Sequence, residues 1–342
     1  MNWPRRCQQG HLQDRIRPES GLAGTTPDAP GARFPLAVLP TPLVRADRLT
    51  AALRTGPLLV KRDDLAGFGV AGNKTRALEY LVGAALRDGA EVLVACGGPG
   101  SNFVAAVAMA ARVAGLGCEI VLWGDPTGAP NVALARAAGA RIRCTGSADR
   151  DEVDLLAADR AAELTAAGTP AVAVPRGGST AVGALGFADA AVELVAQLDE
   201  RPSCIVLPVG SGGSCAGLLA GLAATDLDVP VVGVSVSRPP PAARTAVLAT
   251  ATQCAELRGG PPPRAEQLEL VDAVGAGFGI ASAREDELAG LALHTEGLLL
   301  DATYGAKAFA VAVDRLRSGP VVWWHTGGVV PAVARTTKET TP

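Results

Sequence analysis

From about residue 57 onward, short runs of β-branched and aliphatic residues alternate with longer alanine-rich runs, and this alternation leaves few folds open. PLLVKRD (57–63), EVLVACGG, CEIVLWG, ARIRCTG and PAVAVP have the length and composition of buried strands. Between them lie NKTRALEYLVGAALRDG, SNFVAAVAMAARVAG, NVALARAAG and DEVDLLAADRAAELTAAG, which read as helices. The pattern resumes with the helix GFADAAVELVAQL, the strand SCIVLPVGSGG, the helix SCAGLLAGLAA and the strand PVVGVSV. A further helix is expected inside RPPPAARTAVLATATQCAELRGGPPP (238–263), between two proline clusters. Such alternation implies right-handed βαβ units, and so an α/β fold of parallel sheets with helices on both faces. With 342 residues, two domains and a deep cleft between them are possible.

Composition narrows the function classes. Apolar residues at 48% against 19% charged exclude disorder of the whole chain, and 4% aromatics mean a core of alanine, valine and leucine. Residues 1–33, rich in Gly, Pro, Ser, Thr and Asp without an apolar period, read as a mobile tail. A net charge of −3 and the absence of a basic run argue against nucleic acid, so a small molecule is the expected partner. The seven cysteines are widely spread, with no C-x-x-C pair and no histidine at ligand spacing; this fits reduced thiols in the cytoplasm and no metal site. The Arg5-Arg6 pair lacks the apolar core of an export signal, and no apolar run approaches the ~20 residues that span a bilayer.

Two glycine turns, one lysine and one tyrosine are the candidates for chemistry. VLPVGSGGSCAGLLAGL (206–222) is a strand, a glycine turn and a helix, and the amides of Ser211 to Ser214 open toward the positive end of the helix dipole, a seat for phosphate. It lacks the lysine of a Walker loop and the G-x-G-x-x-G of a dinucleotide site, and a plain strand-to-helix turn has the same appearance. ACGGPGSNFVAAVAMAARVAG (95–115) repeats the arrangement with Ser101 and Asn102 at the helix mouth, where they can cap the helix or grip a carboxylate. Of 31 basic residues only Lys61, Lys74, Lys307 and Lys338 are lysines. Lys74, in GVAGNKTRALEYL, opens a helix where a positive charge opposes the dipole, which disfavours a surface role. Lysine can form an imine with an aldehyde and arginine cannot. Tyr304, one of two tyrosines, stands in LLLDATYGAKAF as a packed residue or as an acid or base.

Assembled, these pieces resemble the pyridoxal-phosphate enzymes of the tryptophan-synthase-β type (fold type II), and within them the 1-aminocyclopropane-1-carboxylate deaminase and D-cysteine desulfhydrase family. LPTPL, VKRDDLAGFGVAGNKTRALEYL, GGPGSN, PRGGSTAVGALGF, GSGGSCAGL, LDATYGAKA and HTGG occur in the family's order, from about Phe34 to Ala334. The resemblance implies a large cofactor-binding domain of residues 34–75 and 179–336, a small domain of 76–178, the cofactor in the cleft between them, and a homodimer. It implies Lys74 as the imine-forming lysine and Cα base, with Asn73 at the cofactor's phenolic oxygen. Gly210, Ser211, Gly212, Gly213 and Ser214 would hold the phosphate, and Thr326 is a candidate partner for the ring nitrogen. Ser101 and Asn102 would bind the substrate carboxylate, and Tyr304 would act beside them. The implied reaction is β-elimination from a small amino acid to a 2-oxo acid and ammonia, with aminocyclopropane carboxylate deamination, β-replacement, or a sensor role as alternatives.

Four positions leave the family pattern. Gly100 stands for a glutamine, Phe103 for a polar residue, Gly305 for a glutamate or threonine, and Phe278 for a second tyrosine; Phe103 and Phe278 are expected to line the substrate pocket, Phe103 making it apolar. Without a carboxylate after Tyr304 the ring nitrogen is expected to stay unprotonated, which favours β-elimination over ring opening.

Overall fold

The computed structural model describes residues 32–147, 149 and 152–339; the expected tail, 1–33, lies outside them except for its last two residues. The first half of the described chain forms β1 (Leu43–Arg45), α1 (Asp47–Leu53), β2 (Leu58–Arg62), α2 (Lys74–Arg87), β3 (Val92–Gly97), α3 (Asn102–Val113), β4 (Gly117–Leu122), α4 (Pro130–Ala137), β5 (Arg141–Cys144), α5 (Val153–Ala166) and β6 (Ala171–Val174). The second half forms α6 (Ala181–Gln197), β7 (Cys204–Val209), α7 (Gly213–Ala223), β8 (Val231–Ser235), α8 (Pro240–Arg258), β9 (Leu268–Asp272), α9 (Ala283–Glu296), α10 (Gly305–Arg315), β10 (Val321–His325) and α11 (Val329–Glu339).

Two sheets result, one of six strands in the order β1-β2-β10-β7-β8-β9 and one of four in the order β5-β4-β3-β6. All pairings are parallel except β1 with β2, where Leu43 faces Lys61 in an antiparallel edge. A short antiparallel edge strand on a parallel sheet is a common departure from the all-parallel expectation. β7, β8 and β10 are buried along their whole length, which explains their unbroken apolar runs.

The alanine and glycine content is used where helices cross. A Cβ on Gly217 of α7 would lie 2.1 Å from the Ala184 carbonyl oxygen of α6, and one on Gly186 would lie 2.2 Å from the Arg76 carbonyl oxygen of α2. Only glycine permits backbones to approach this closely. α2, α6 and α7 are thereby locked into one layer.

A buried ionic cluster fixes α2 against the large sheet. Arg76 (1% exposed) pairs with Asp63 at 2.9 Å and with Glu193 of α6 at 2.8 Å. Lys61 of β2, fully buried, donates to Glu193, to the Thr41 carbonyl at 2.7 Å and to Gln197 at 2.6 Å. Burial pulls Lys61 below the usual lysine range against the opposing pull of Glu193. Burial alone would raise Glu193, but Arg76 and Lys61 outweigh it and hold the carboxyl below its ordinary value. Two cations and two anions are thus matched. Removing one member strands a buried charge, so Glu193→Ala is expected to cost roughly 3–5 kcal/mol in urea unfolding. A loss under about 1 kcal/mol would show that solvent already screens the cluster.

Candidate active site

The ends of seven strands build one cleft of about 600 Å³. Its walls are Gly97 to Phe103 after β3, Trp123 after β4, Arg176 and Gly177 after β6, and Gly210 to Cys215 after β7. Ser237 and Arg238 after β8, Phe278 and Gly279 after β9, and Thr326 and Gly328 after β10 complete the ring. These contributions come from beyond strand carboxyl ends, where parallel sheets place their ligands, and Asn73, Lys74, Asp301 and Tyr304 add walls from the start of α2 and the connection between α9 and α10.

The same geometry aims helix N-termini inward. Lys74, Asn102 and Gly213 open α2, α3 and α7, and Tyr304 and Gly328 immediately precede α10 and α11; all five line the cleft. Each helix start carries a partial positive charge, and the first amides of α3 and α7 have no main-chain partner among the described residues, so the cleft favours anions.

At the start of α7 the chain turns through Gly212, held at φ +106°, a conformation that strains other residues. A Cβ on Gly213 would stand 2.9 Å from Ser179 Oγ, and one on Gly210 would stand 3.0 Å from the Tyr304 ring and 3.3 Å from its hydroxyl. Tyr304 therefore packs over the glycine turn. Its backbone is fixed by Asp301, whose carboxylate accepts from the amides of Thr303, Tyr304 and Gly305 at 2.9, 3.0 and 2.9 Å. Burial pushes the Asp301 carboxyl above its usual range despite these three bonds.

Ser101 precedes α3 with extended backbone and makes no side-chain capping bond, so its hydroxyl is not spent on the helix. Asn73 donates from Nδ2 to Ser214 Oγ at 2.9 Å, and its amide nitrogen donates to the Thr326 carbonyl at 3.0 Å. These bonds join the lysine helix to both the glycine turn before α7 and the β10 turn. Lys74 itself is half-buried and lines the cleft, and its side-chain amine has no hydrogen-bond or ion-pair partner among the described residues. Burial pushes its amine down to about 8.

Phe278 is 50% exposed and meets Tyr304 edge-on at 5.9 Å between ring centres. Its loop is tied to α10 by Lys307, which donates to the carbonyls of Ala273, Val274 and Gly277 at 2.8, 2.8 and 3.1 Å. Phe103 touches the cleft but is 1% exposed, and it belongs to the core around Leu78, Val82 and Val104. Sequence reasoning did not reach Trp123, Arg176 or Asp301. Only Asp301 left a local signal, an Asp four residues before a helix start.

Comparison with known proteins agrees with this geometry. Residues 35–327 match the family described as "Pyridoxal-phosphate dependent enzyme". The D-cysteine desulfhydrase of Salmonella typhi is 33% identical over 325 residues, covering 86% of this chain and 94% of its own. A protein of Pyrococcus horikoshii, provisionally named 1-aminocyclopropane-1-carboxylate deaminase, is 34% identical over 275 residues, covering 79% of this chain and 84% of its own. The crystal structure of an ACC deaminase homologue superposes with a TM-score of 0.84 at 30% identity, covering 90% of this chain and 95% of that one. The chain belongs to the pyridoxal-phosphate-dependent enzymes, in the fold type II architecture.

The residues present fit that cofactor: the α7 turn is a glycine cradle of free amides, and an unpaired amine stands in the same cleft. With the amine at about 8, its neutral, reactive fraction reaches a plateau roughly two pH units earlier than that of a solvated lysine. Uptake of pyridoxal phosphate by the apoprotein, followed near ~420 nm, is expected to quicken up to a pH of about 8 and then level off. A rate that still climbs toward pH ~10 would indicate a lysine of ordinary pKa.

Proposed function

We propose that the chain is a lyase that removes the Cα proton and a β-substituent from a small amino acid, D-cysteine or a related thiol compound, giving a 2-oxo acid and ammonia. The observation that carries the reading is the unpaired Lys74 amine, which shares one cleft with a carboxylate-type turn at 101–102 and a phosphate-type turn at 210–214. When bound, pyridoxal phosphate supplies the electron sink that makes a Cα proton removable.

The chain's own residues do the rest. The amides of Gly210 to Ser214 hold the phosphate, with Asn73 and Thr326 beside the ring, while Ser101 and Asn102 orient the substrate carboxylate. Lys74 Nζ accepts the Cα proton. At pH 7 roughly one such amine in ten is neutral, against fewer than one in a thousand for a solvated lysine. Tyr304, packed over the phosphate turn, serves as an acid or base toward the leaving group.

Elimination is favoured over cyclopropane opening by the residue next to Tyr304. Gly305 has no side chain, and the nearby Asp301 is committed to three main-chain amides. No carboxylate of this stretch remains for the ring nitrogen. Phe278 likewise brings no hydroxyl to the mouth of the cleft. The unpaired cysteines among the described residues support a cytoplasmic setting, and the family resemblance supports a homodimer.

The test is product analysis with holoprotein. D-cysteine is expected to release sulfide and pyruvate, and Lys74→Ala to lower that rate by roughly a thousandfold. Formation of 2-oxobutanoate from the cyclopropane acid, without sulfide from either cysteine enantiomer, would overturn the assignment.

A further inference from the structure

We propose that Asn131 is a positioning residue that sets the orientation of the Asn102 amide, so that the 100–102 turn presents a donor to the substrate carboxylate. The inference rests on the reading of Ser101 and Asn102 as the carboxylate site. Asn131 is the second residue of α4, 3% exposed, and has no place in the reaction described above. Its Nδ2 donates to the Gly100 carbonyl at 3.2 Å and to Asn102 Oδ1 at 3.1 Å.

The polarity of this chain of bonds is forced. A main-chain carbonyl can only accept, so the end of the Asn131 amide facing Gly100 must be the nitrogen. That nitrogen can only donate, so the end of the Asn102 amide turned toward it must be the oxygen. The Asn102 nitrogen is therefore the end left over, and Asn102 is a wall of the cleft. A flipped Asn102 would offer an oxygen to a carboxylate and repel it.

A packing role gives no reason for an asparagine at this position. Its own Oδ1 is buried with no partner among the described residues, an arrangement that disfavours the fold. An apolar residue of similar size would avoid that penalty. The gain lies in the donor end, which ties down both the Gly100 carbonyl and the Asn102 oxygen. Gly100 lacks a side chain of its own to brace the turn, and a Cβ built there would meet nothing within 4 Å.

Asn131→Asp tests the proposal because it keeps the shape and removes the donor. In the holoprotein the dissociation constant of alanine, an amino acid without a leaving group, is expected to rise about tenfold or more. The defect should shrink as pH falls and the new carboxyl, protonated, donates to Gly100 again. In an Asn102→Ala background the same substitution should change alanine binding less than about twofold, since its target is gone. Thermal unfolding and the cofactor absorbance show whether the fold holds. If Asn131→Asp does not load cofactor, Asn131→Ser, which keeps one donor, is put through the same cycle and is expected to weaken alanine only when Asn102 is present.

Equal weakening in both backgrounds, or none in either, overturns the proposal. Wild-type protein binding alaninamide as tightly as alanine would instead overturn the carboxylate site itself, and the role of Asn131 with it. The two failures are thus separable, because the second is read without any substitution at 131.

Discussion

The interaction on which the active site depends is the buried cluster of Lys61, Asp63, Arg76 and Glu193. Burying four charges is tolerable only if each finds its partners, and here the partners come from β2, the turn after it, α2 and α6. The cluster therefore fixes the start of α2 to the large sheet and to its covering helix at once. Lys74 and Arg76 are two residues apart, about 200° around the helix. Locking Arg76 into the cluster consequently turns Lys74 to the opposite side, into the cleft. The rigid end of this lever is a salt bridge, and its working end is an amine with no partner.

Packing around the lever explains the composition. α2, α6 and α7 meet backbone to backbone, with Gly186, Gly217 and Gly221 each facing a carbonyl oxygen within 2.3 Å of where a Cβ would be. Alanine fills the remaining contacts. A core built this way has little room for larger side chains, and close packing transmits position from the cluster to the glycine turns. The N-termini of α2, α3 and α7 gather at the cleft because α3 and α7 follow parallel strands whose carboxyl ends face it, while α2 is locked to both the sheet and α6. Their dipoles add to desolvation in disfavouring the charged form of Lys74, while the same field attracts phosphate and carboxylate.

Much of this was legible in the sequence, for physical reasons. Strands buried on both faces leave unbroken apolar runs, and glycine turns before alanine-rich helices leave motifs that survive without context. The helix Ala283–Glu296 is not legible from periodicity, because its charges and small residues blur the apolar period. Its capping box, Ser282 with Glu285, was present as a local signal. The antiparallel edge of β1 depends on pairing across the sheet, and no local pattern announces it. Asn131 and Trp123 are likewise read only in three dimensions, since their importance lies in facing the 98–102 turn from distant parts of the chain. Ser101 was ambiguous between cap and ligand. The missing cap bond supports the ligand reading.

The four departures from the family pattern weigh less against catalysis than they do in the sequence. Phe103 sits in a core, so a polar group lost there is lost mainly from packing. Gly100 leaves space and keeps its carbonyl tied to Asn131, and Gly305 still donates its amide to Asp301. Only Phe278 changes the chemistry at the mouth. Against these stands Lys74: holding its amine near a value of about 8 disfavours the folded apoprotein at neutral pH by up to ~3 kcal/mol relative to a lysine in water. Methionine would occupy the same space without that burden. A chain that only sensed the cofactor would have no chemical need of that amine. Retaining a desolvated, unpaired amine in the same cleft as Ser101 and Asn102 is the arrangement of a protein that still moves a proton.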